Sequence, residues 1–428
     1  MPQEKITRRN PWTWIPSLYY AEGIPYILVM SVSVLFYKQM GLTNTQIAFF
    51  TSWFYLPWVI KPLWSPVVDI LKTKRQWIIL MQLIIGVGLG GLALTIPLVN
   101  YLKYSMIFFW LIALSSATHD IAADGFYMLG LSQKNQSLFI GIRSLFYRLA
   151  MITGQGAFII LAGFLQAKTQ NIPKAWSYTF FVPAVLFIIF SIYHKLILPH
   201  SKSDINQGID KSKYFLKEFF KTFALFFKKK DIGITLGFLL IYRLGEAQLI
   251  KIAVLFLKDG VINGGLGLSI EAIGFVYGTI GLISLILGGI LGGFLASKGG
   301  LKKWIWWMFA AINIPHVLYI YLAYFQPSNL ITINLCVAGE QFGYGFGFTA
   351  YMLYMIYTSE GNFKTVHYAI CTGFMALSMM IPGMFSGWIQ EILGYQHFFI
   401  WIFITMIPGY LIIRAIHIDP EFGKRSEN

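Results

Sequence analysis

The chain has 428 residues, of which 57% are hydrophobic and only 12% charged, and its net charge is +15. Apolar runs of about 20 residues exclude a soluble globular protein, and also outer-membrane barrel strands, which need about ten alternating residues. The positive balance does not point to nucleic acid. In the connections, the terminal segments and the adjoining run ends, Lys and Arg number 22 on the side of both termini and 5 on the other. That is the positive-inside bias, which places both termini in the cytoplasm and makes anionic lipid head groups the main partner of the surplus charge.

Twelve runs are predicted as membrane-spanning helices: 12–37, 46–70, 76–99, 104–130, 138–165, 177–198, 231–257, 271–296, 304–325, 329–357, 365–389 and 396–418. Arg8 and Arg9 precede the first run. It is too long for a signal-peptide core and lacks a small-x-small cleavage site, so it is expected to stay as the first span. It carries Glu22 among Tyr19, Tyr20 and Tyr26, and the second run carries Lys61 at comparable depth. The fourth run holds Asp120 and Asp124, four apart and therefore on one helix face. The fifth holds Arg143 and Arg148. At about 1.5 Å of rise per residue, Asp120 matches Arg148 in depth and Asp124 matches Arg143, which predicts two acid–base rungs.

The one long connection, 199–230, is rich in Lys, Asp and Ser. Its second part has aromatics at helical spacing among lysines and reads as an amphipathic helix on the inner membrane surface. It separates an N-terminal six-helix half, 1–198, from a C-terminal half, 231–428.

The seventh run carries Arg243 and Glu246, three apart and able to pair with each other, and then Lys251, expected to snorkel to the outer surface. His316, in the ninth run, has no carboxylate near it in sequence and is expected to pack by a hydrogen bond. Glu340, in the tenth, has no base on its own run. Gly343, Gly345 and Gly347 alternate there with Phe342 and Tyr344, which suits close helix approach or stacking of a sugar on the rings. Cys336 and Cys371 are isolated and show no metal-ligand spacing, so neither a metal nor a cofactor is expected. An ionised side chain in the bilayer costs several kcal/mol unless paired or facing a cavity, so this set points to transport.

Internal repetition sets the architecture. Residues 41–50 (GLTNTQIAFF) match 267–276 (GLSIEAIGFV) in register, just after the echo of Val34-Leu-Phe-Tyr-Lys38 in Val254-Leu-Phe-Leu-Lys258. Residues 293–303 (GFLASKGGLKK) resemble the signature between second and third spans of the major facilitator superfamily, with Ser297 in place of its Asp; the first half keeps that Asp as Asp69. KPLWSPVVD (61–69), HDIAAD (119–124), YRL (147–149), IYRLGEA (241–247), EQFGYGFG (340–347) and the run 368–391 together resemble the branch holding the AmpG-type muropeptide permeases and the acetyl-CoA transporters. The resemblance covers nearly the whole chain in order. Glu22 departs from it, since related permeases carry a small or amide residue there.

The resemblance implies an all-α membrane protein of twelve transmembrane helices in two six-helix parallel pseudo-repeats, the major facilitator fold. It also implies a monomeric, proton-coupled importer of anhydromuropeptides, anionic amino-sugar peptides, in a bacterial inner membrane. The alternative within the branch is an acyl-CoA or other organic-anion carrier. An embedded acyltransferase would need a nucleophile–histidine constellation, and none is visible. On this reading Glu340, then Glu246 and Glu22, carry the proton. Asp120, Asp124, Arg143, Arg148, Arg243 and Lys61 bind or gate, and Tyr19, Tyr20, Tyr26, Phe342 and Tyr344 meet the sugars. Asp69 is a conformational latch at a helix C-terminus, where a carboxylate needs a partner.

Overall fold

The computed structural model describes residues 9–131, 133–200, 221–361 and 363–424. Among the described residues every regular element is helical. Eight helical runs are long and apolar enough to cross a membrane, and the last, Lys364–Ala415, is 52 residues long and interrupted at Gly394, whose φ is 69°. The other expected spans fall short for chemical reasons. Lys61 and Asp69 sit in a helix of only 16 residues, the seventh run is broken, and glycines with Glu340 and Gln341 lower the hydropathy of the tenth. The predicted surface helix lies mostly outside the described residues, which include only 221–230 of it, helical over 221–226. The side chain of Asp69 lies outside them as well.

The chain divides into two compact units, one of residues 1–32 and 60–219, the other of 33–59 and 220–428. The first contains α1 (Ile15–Ile27), a π-helical turn Leu28–Val32, α5 (Lys74–Thr95), α6 (Tyr101–Gly130), α7 (Gln133–Ile152), α8 (Ile159–Thr169), α9 (Ile172–Ile197) and most of α4 (Leu56–Leu71). Its core gathers Trp14, Leu18, Tyr19, Ala122, Phe126 and Tyr127. A buried polar chain crosses it. Gln82 donates from Nε2 to His119 Nε2 at 3.0 Å, its Oε1 meets His194 Nδ1 at 2.9 Å, and His194 Nε2 meets Ser17 Oγ at 2.9 Å. An amide that donates at one end and accepts at the other sets His119 Nε2 as an acceptor and His194 Nδ1 as a donor.

The second unit contains α2 (Ser33–Gln39), α3 (Asn44–Trp53), α10 (Ile232–Ile241), α11 (Leu244–Lys258), α12 (Ile270–Phe275), the π turn Val276–Gly281, α13 (Leu282–Gly299), α14 (Leu301–Asn313), α15 (His316–Phe325), α16 (Leu330–Ser359), α17 (Lys364–Ile404) and α18 (Met406–Ala415). Phe238, Tyr242, Phe309, Tyr351 and Tyr354 form its aromatic core. α3 belongs here because α17 offers it a glycine face. A Cβ on Gly387 would stand 2.1 Å from the Asn44 carbonyl, and one on Gly383 would meet Ser52. Small residues four apart allow that approach, as they do between membrane helices generally.

Polar contacts then hold the segment in place. Lys38 pairs with Asp259 at 2.6 Å, Tyr395 donates to Asp259 at 2.6 Å, and Asn44 donates to Gln390 at 2.6 Å. The sequence repeat has the same local structure twice. Gly41 and Gly267 both have positive φ, and each is followed two residues on by a hydroxyl N-cap, Thr43 and Ser269.

Candidate functional site

In the first unit α1, α4, α6 and α7 bring the predicted charges together. Arg143 on α7 pairs with Asp124 on α6 at 2.6 Å and lies over the Tyr19 ring, 4.5 Å from its centroid, while the Tyr19 hydroxyl faces Asp124 at 3.5 Å. Asp120 pairs with Lys61 at 3.5 Å. Glu22 is buried, one oxygen has no hydrogen-bond partner among the described residues, and its electrostatic neighbours are Asp124, Asp120, Arg143 and Lys61. Tyr20 donates to Thr153 at 2.9 Å.

The lower rung forms as its matched depth predicts; the upper one does not. Arg148 makes no ion pair among the described residues. Residues five apart lie about 140° round a helix, so Arg143 and Arg148 cannot both face the Asp120–Asp124 side of α6. Lys61, from a different helix, takes Asp120 instead.

The second unit is drier. The seventh run breaks at Arg243, which has φ −109° and ψ 21° and caps the N-terminus of α11. Arg243 does not pair with Glu246. Its Nη2 donates to the Tyr344 hydroxyl at 2.5 Å, its guanidinium lies 4.5 Å from the centroid of the Phe348 ring and 5.5 Å from that of Tyr351, and its Nε has no partner among the described residues. The break turns Arg243 toward α16, while Glu246, in the first turn of α11, faces α15. There Glu246 Oε2 meets His316 Nε2 at 3.2 Å, 70 residues away in sequence, where no sequence pattern could announce it. Glu340 accepts from its neighbour Gln341 at 2.9 Å, and its carboxyl lies within hydrogen-bonding reach of that of Glu246.

One further expectation needs correction, and the close-approach reading of the glycines holds. Lys251 does not snorkel: it is 1% exposed, donates to Thr51 Oγ1 at 3.0 Å and lies over the Tyr55 ring, because the segment 33–59 covers it. The α16 glycines are packing points. Added Cβ atoms would stand 2.1 Å from the Ala311 carbonyl at Gly343 and 1.9 Å from the Leu285 carbonyl at Gly345. Tyr344 therefore faces Arg243, while Phe342, two residues earlier and about 200° round the helix, is exposed.

A cavity of about 190 Å³ lies elsewhere in the second unit, lined by Lys229, Thr235, Tyr354, Tyr357 and His417, and none of the buried charges lines it. Lys229 is occupied there as a cap, donating to the carbonyls of Thr358 and Glu360 at the C-terminus of α16, where a cation is favoured.

A sequence profile of the Major Facilitator Superfamily matches residues 19–366, and the chain belongs to that family. The chain is 24% identical over 406 residues to the putative transporter AmpG 4 of Rickettsia conorii, covering 92% of this chain and 94% of that one. It is 23% identical over 416 residues to the anhydromuropeptide permease of Escherichia coli, covering 96% of this chain and 80% of that one. Among solved structures, a D-xylose–proton symporter superposes with a TM-score of 0.70 at 13% identity, covering 96% of this chain and 98% of its own. The nucleoside transporter NupG does so with a TM-score of 0.68 at 13% identity, covering 95% and 98%. The protein is a multi-pass membrane transporter of the major facilitator fold, not an enzyme.

Proposed function

We propose that the protein imports anhydromuropeptides across a bacterial inner membrane together with protons, with both termini in the cytoplasm. The observation that carries this reading is Arg243. It is a buried guanidinium at a helix N-terminus, held by a tyrosine hydroxyl and aromatic faces rather than by a carboxylate. A planar fork in a dry site with no carboxylate in direct contact suits the carboxylate of an incoming peptide, and the dipole of α11 adds to its attraction. Tyr344 supplies a face on which a sugar can stack. Glu340 and Glu246 supply acids that can carry a proton. In the first unit Arg143, Lys61 and Arg148, which has no ion pair among the described residues, offer further anion contacts, with Glu22, Asp120 and Asp124 as their exchange partners. Tyr19, Tyr20 and Tyr26 line the same helix.

The test is uptake of labelled anhydromuropeptide into proteoliposomes under an inward proton gradient, with unlabelled acetyl-CoA as competitor. Accumulation that collapses with the gradient and resists acetyl-CoA is the expected result. Accumulation blocked by acetyl-CoA, or uptake of acyl-CoA in place of the muropeptide, overturns the substrate in favour of an organic-anion carrier.

A further inference from the structure

The acids of the second unit pose a hydrogen-bonding problem that two carboxylates cannot solve. Glu246, Glu340 and His316 are each about 1% exposed. One oxygen of each acid has a partner: Glu246 Oε2 meets His316 Nε2, and Glu340 Oε2 accepts from Gln341. The other oxygens, Glu246 Oε1 and Glu340 Oε1, have none among the described residues. Yet the two carboxyl groups lie within hydrogen-bonding reach of each other. Ionised carboxyls only accept, so two of them side by side would leave both oxygens unsatisfied and repelling in a dry site. A single proton between them removes both faults.

We infer that Glu246, Glu340 and His316, from α11, α16 and α15, form one proton-holding unit in which the two carboxyls share a single proton and His316 is the positioning residue. In this unit His316 carries its proton on Nε2 and donates it to Glu246 across the 3.2 Å contact, which favours Glu246 as the carboxylate that accepts. Glu340 then donates the shared proton across to it. One proton enters the pair in each cycle and the same one leaves, with no other group changing charge.

The groups facing this unit are few. Arg243 lies three residues from Glu246 on the same chain and within its electrostatic reach, Tyr277 and Tyr319 interact with both acids, and Cys336, Tyr344 and Tyr55 lie beside those tyrosines. Among these described groups Arg243 alone carries a fixed charge. An anion bound there cancels the charge that would stabilise a second carboxylate, so the pair keeps its proton while the anion is bound. That link to cargo rests on the reading of Arg243 given above; the shared proton does not.

The experiment is an infrared titration of the carboxyl C=O stretch in the full-length protein in liposomes, without cargo. The wild type is expected to show one buried protonated carboxyl at neutral pH. Glu340→Gln and Glu246→Gln should each abolish it, because the amide donates to the remaining carboxylate, and the double variant should look like either single one. Two independent protonated acids, each lost separately, would overturn the shared proton. His316→Phe, which removes the donor, should move the titration midpoint up by about one pH unit, while His316→Gln, which keeps a donor, should stay near wild type. An unmoved midpoint in His316→Phe would reduce His316 to packing, and if that variant does not fold, the two glutamine variants still decide the shared proton. A band that behaves as expected in a protein that does not import muropeptide would refute the substrate alone. Gradient-driven muropeptide uptake in Glu340→Gln would refute the proton unit and leave the substrate standing.

Discussion

The two units neutralise their buried charges by different chemistry. In the first, acids face bases directly, and the side chains keep some contact with the exterior, Arg143 at 31% and Asp124 at 39%. In the second, the acids face each other and a histidine, the arginine faces aromatic rings, and nearly all contact with the exterior is gone. A half-wet ion pair can open and exchange partners at modest cost, because solvent screens what is broken. A dry carboxyl pair can change charge only by moving a proton. On the proposed reading the first arrangement serves binding and gating, the second coupling.

The sharpest break of this contrast is Glu340→Gln. It should abolish accumulation against a gradient while cargo exchange between preloaded and external pools stays within a few-fold of wild type; loss of exchange as well would remove the division of labour. Next is Arg243→Gln. Removing a buried charged donor costs about 3 kcal/mol, so kcat/KM for uptake should fall about 100-fold. A matching fall for Arg148→Gln would mean that the anion is held equally in the first unit.

For the first unit, Asp124→Asn should lower stability by about 1 kcal/mol, a loss discounted for exposure, and Asp124→Asn with Arg143→Gln should recover part of it. Thermal unfolding in detergent measures both. A loss of several kcal/mol would show that the pair is as dry as the acids of the second unit. Smallest of all, Phe342→Ala should change uptake less than about two-fold, since the ring faces away from Arg243 and contributes only ordinary surface. A large loss would place the sugar on the opposite face of α16.

Much of the architecture was legible because its signals are local. Apolar run length marked the helices, and Gly41 and Gly267 with their hydroxyl caps marked the repeat. Asp124 and Arg143 could be matched because depth along two adjacent helices is a simple count of residues. Depth carries no azimuth, however, so it could not show that Lys61 rather than Arg148 pairs with Asp120. It also missed the break at Arg243, because a non-helical residue inside an apolar run leaves the hydropathy unchanged. Lys251 was misplaced for a third reason. Its cover is the segment 33–59, about 200 residues earlier in the chain, and what buries a residue from that distance is a property of the fold.

The carboxyl pair also bears on the electrical behaviour of the transporter. If the proposed pair accepts one proton per cycle, it fixes how much charge moves with the cargo. A singly anionic cargo would cross with no net current, and membrane voltage would leave its uptake untouched. Each further negative charge would be opposed by an interior-negative potential, at about 2.3 kcal/mol per 100 mV. The carboxylate count of the peptide would then decide whether voltage hinders uptake, and peptides of different charge would be sorted by potential without any difference in how tightly they bind.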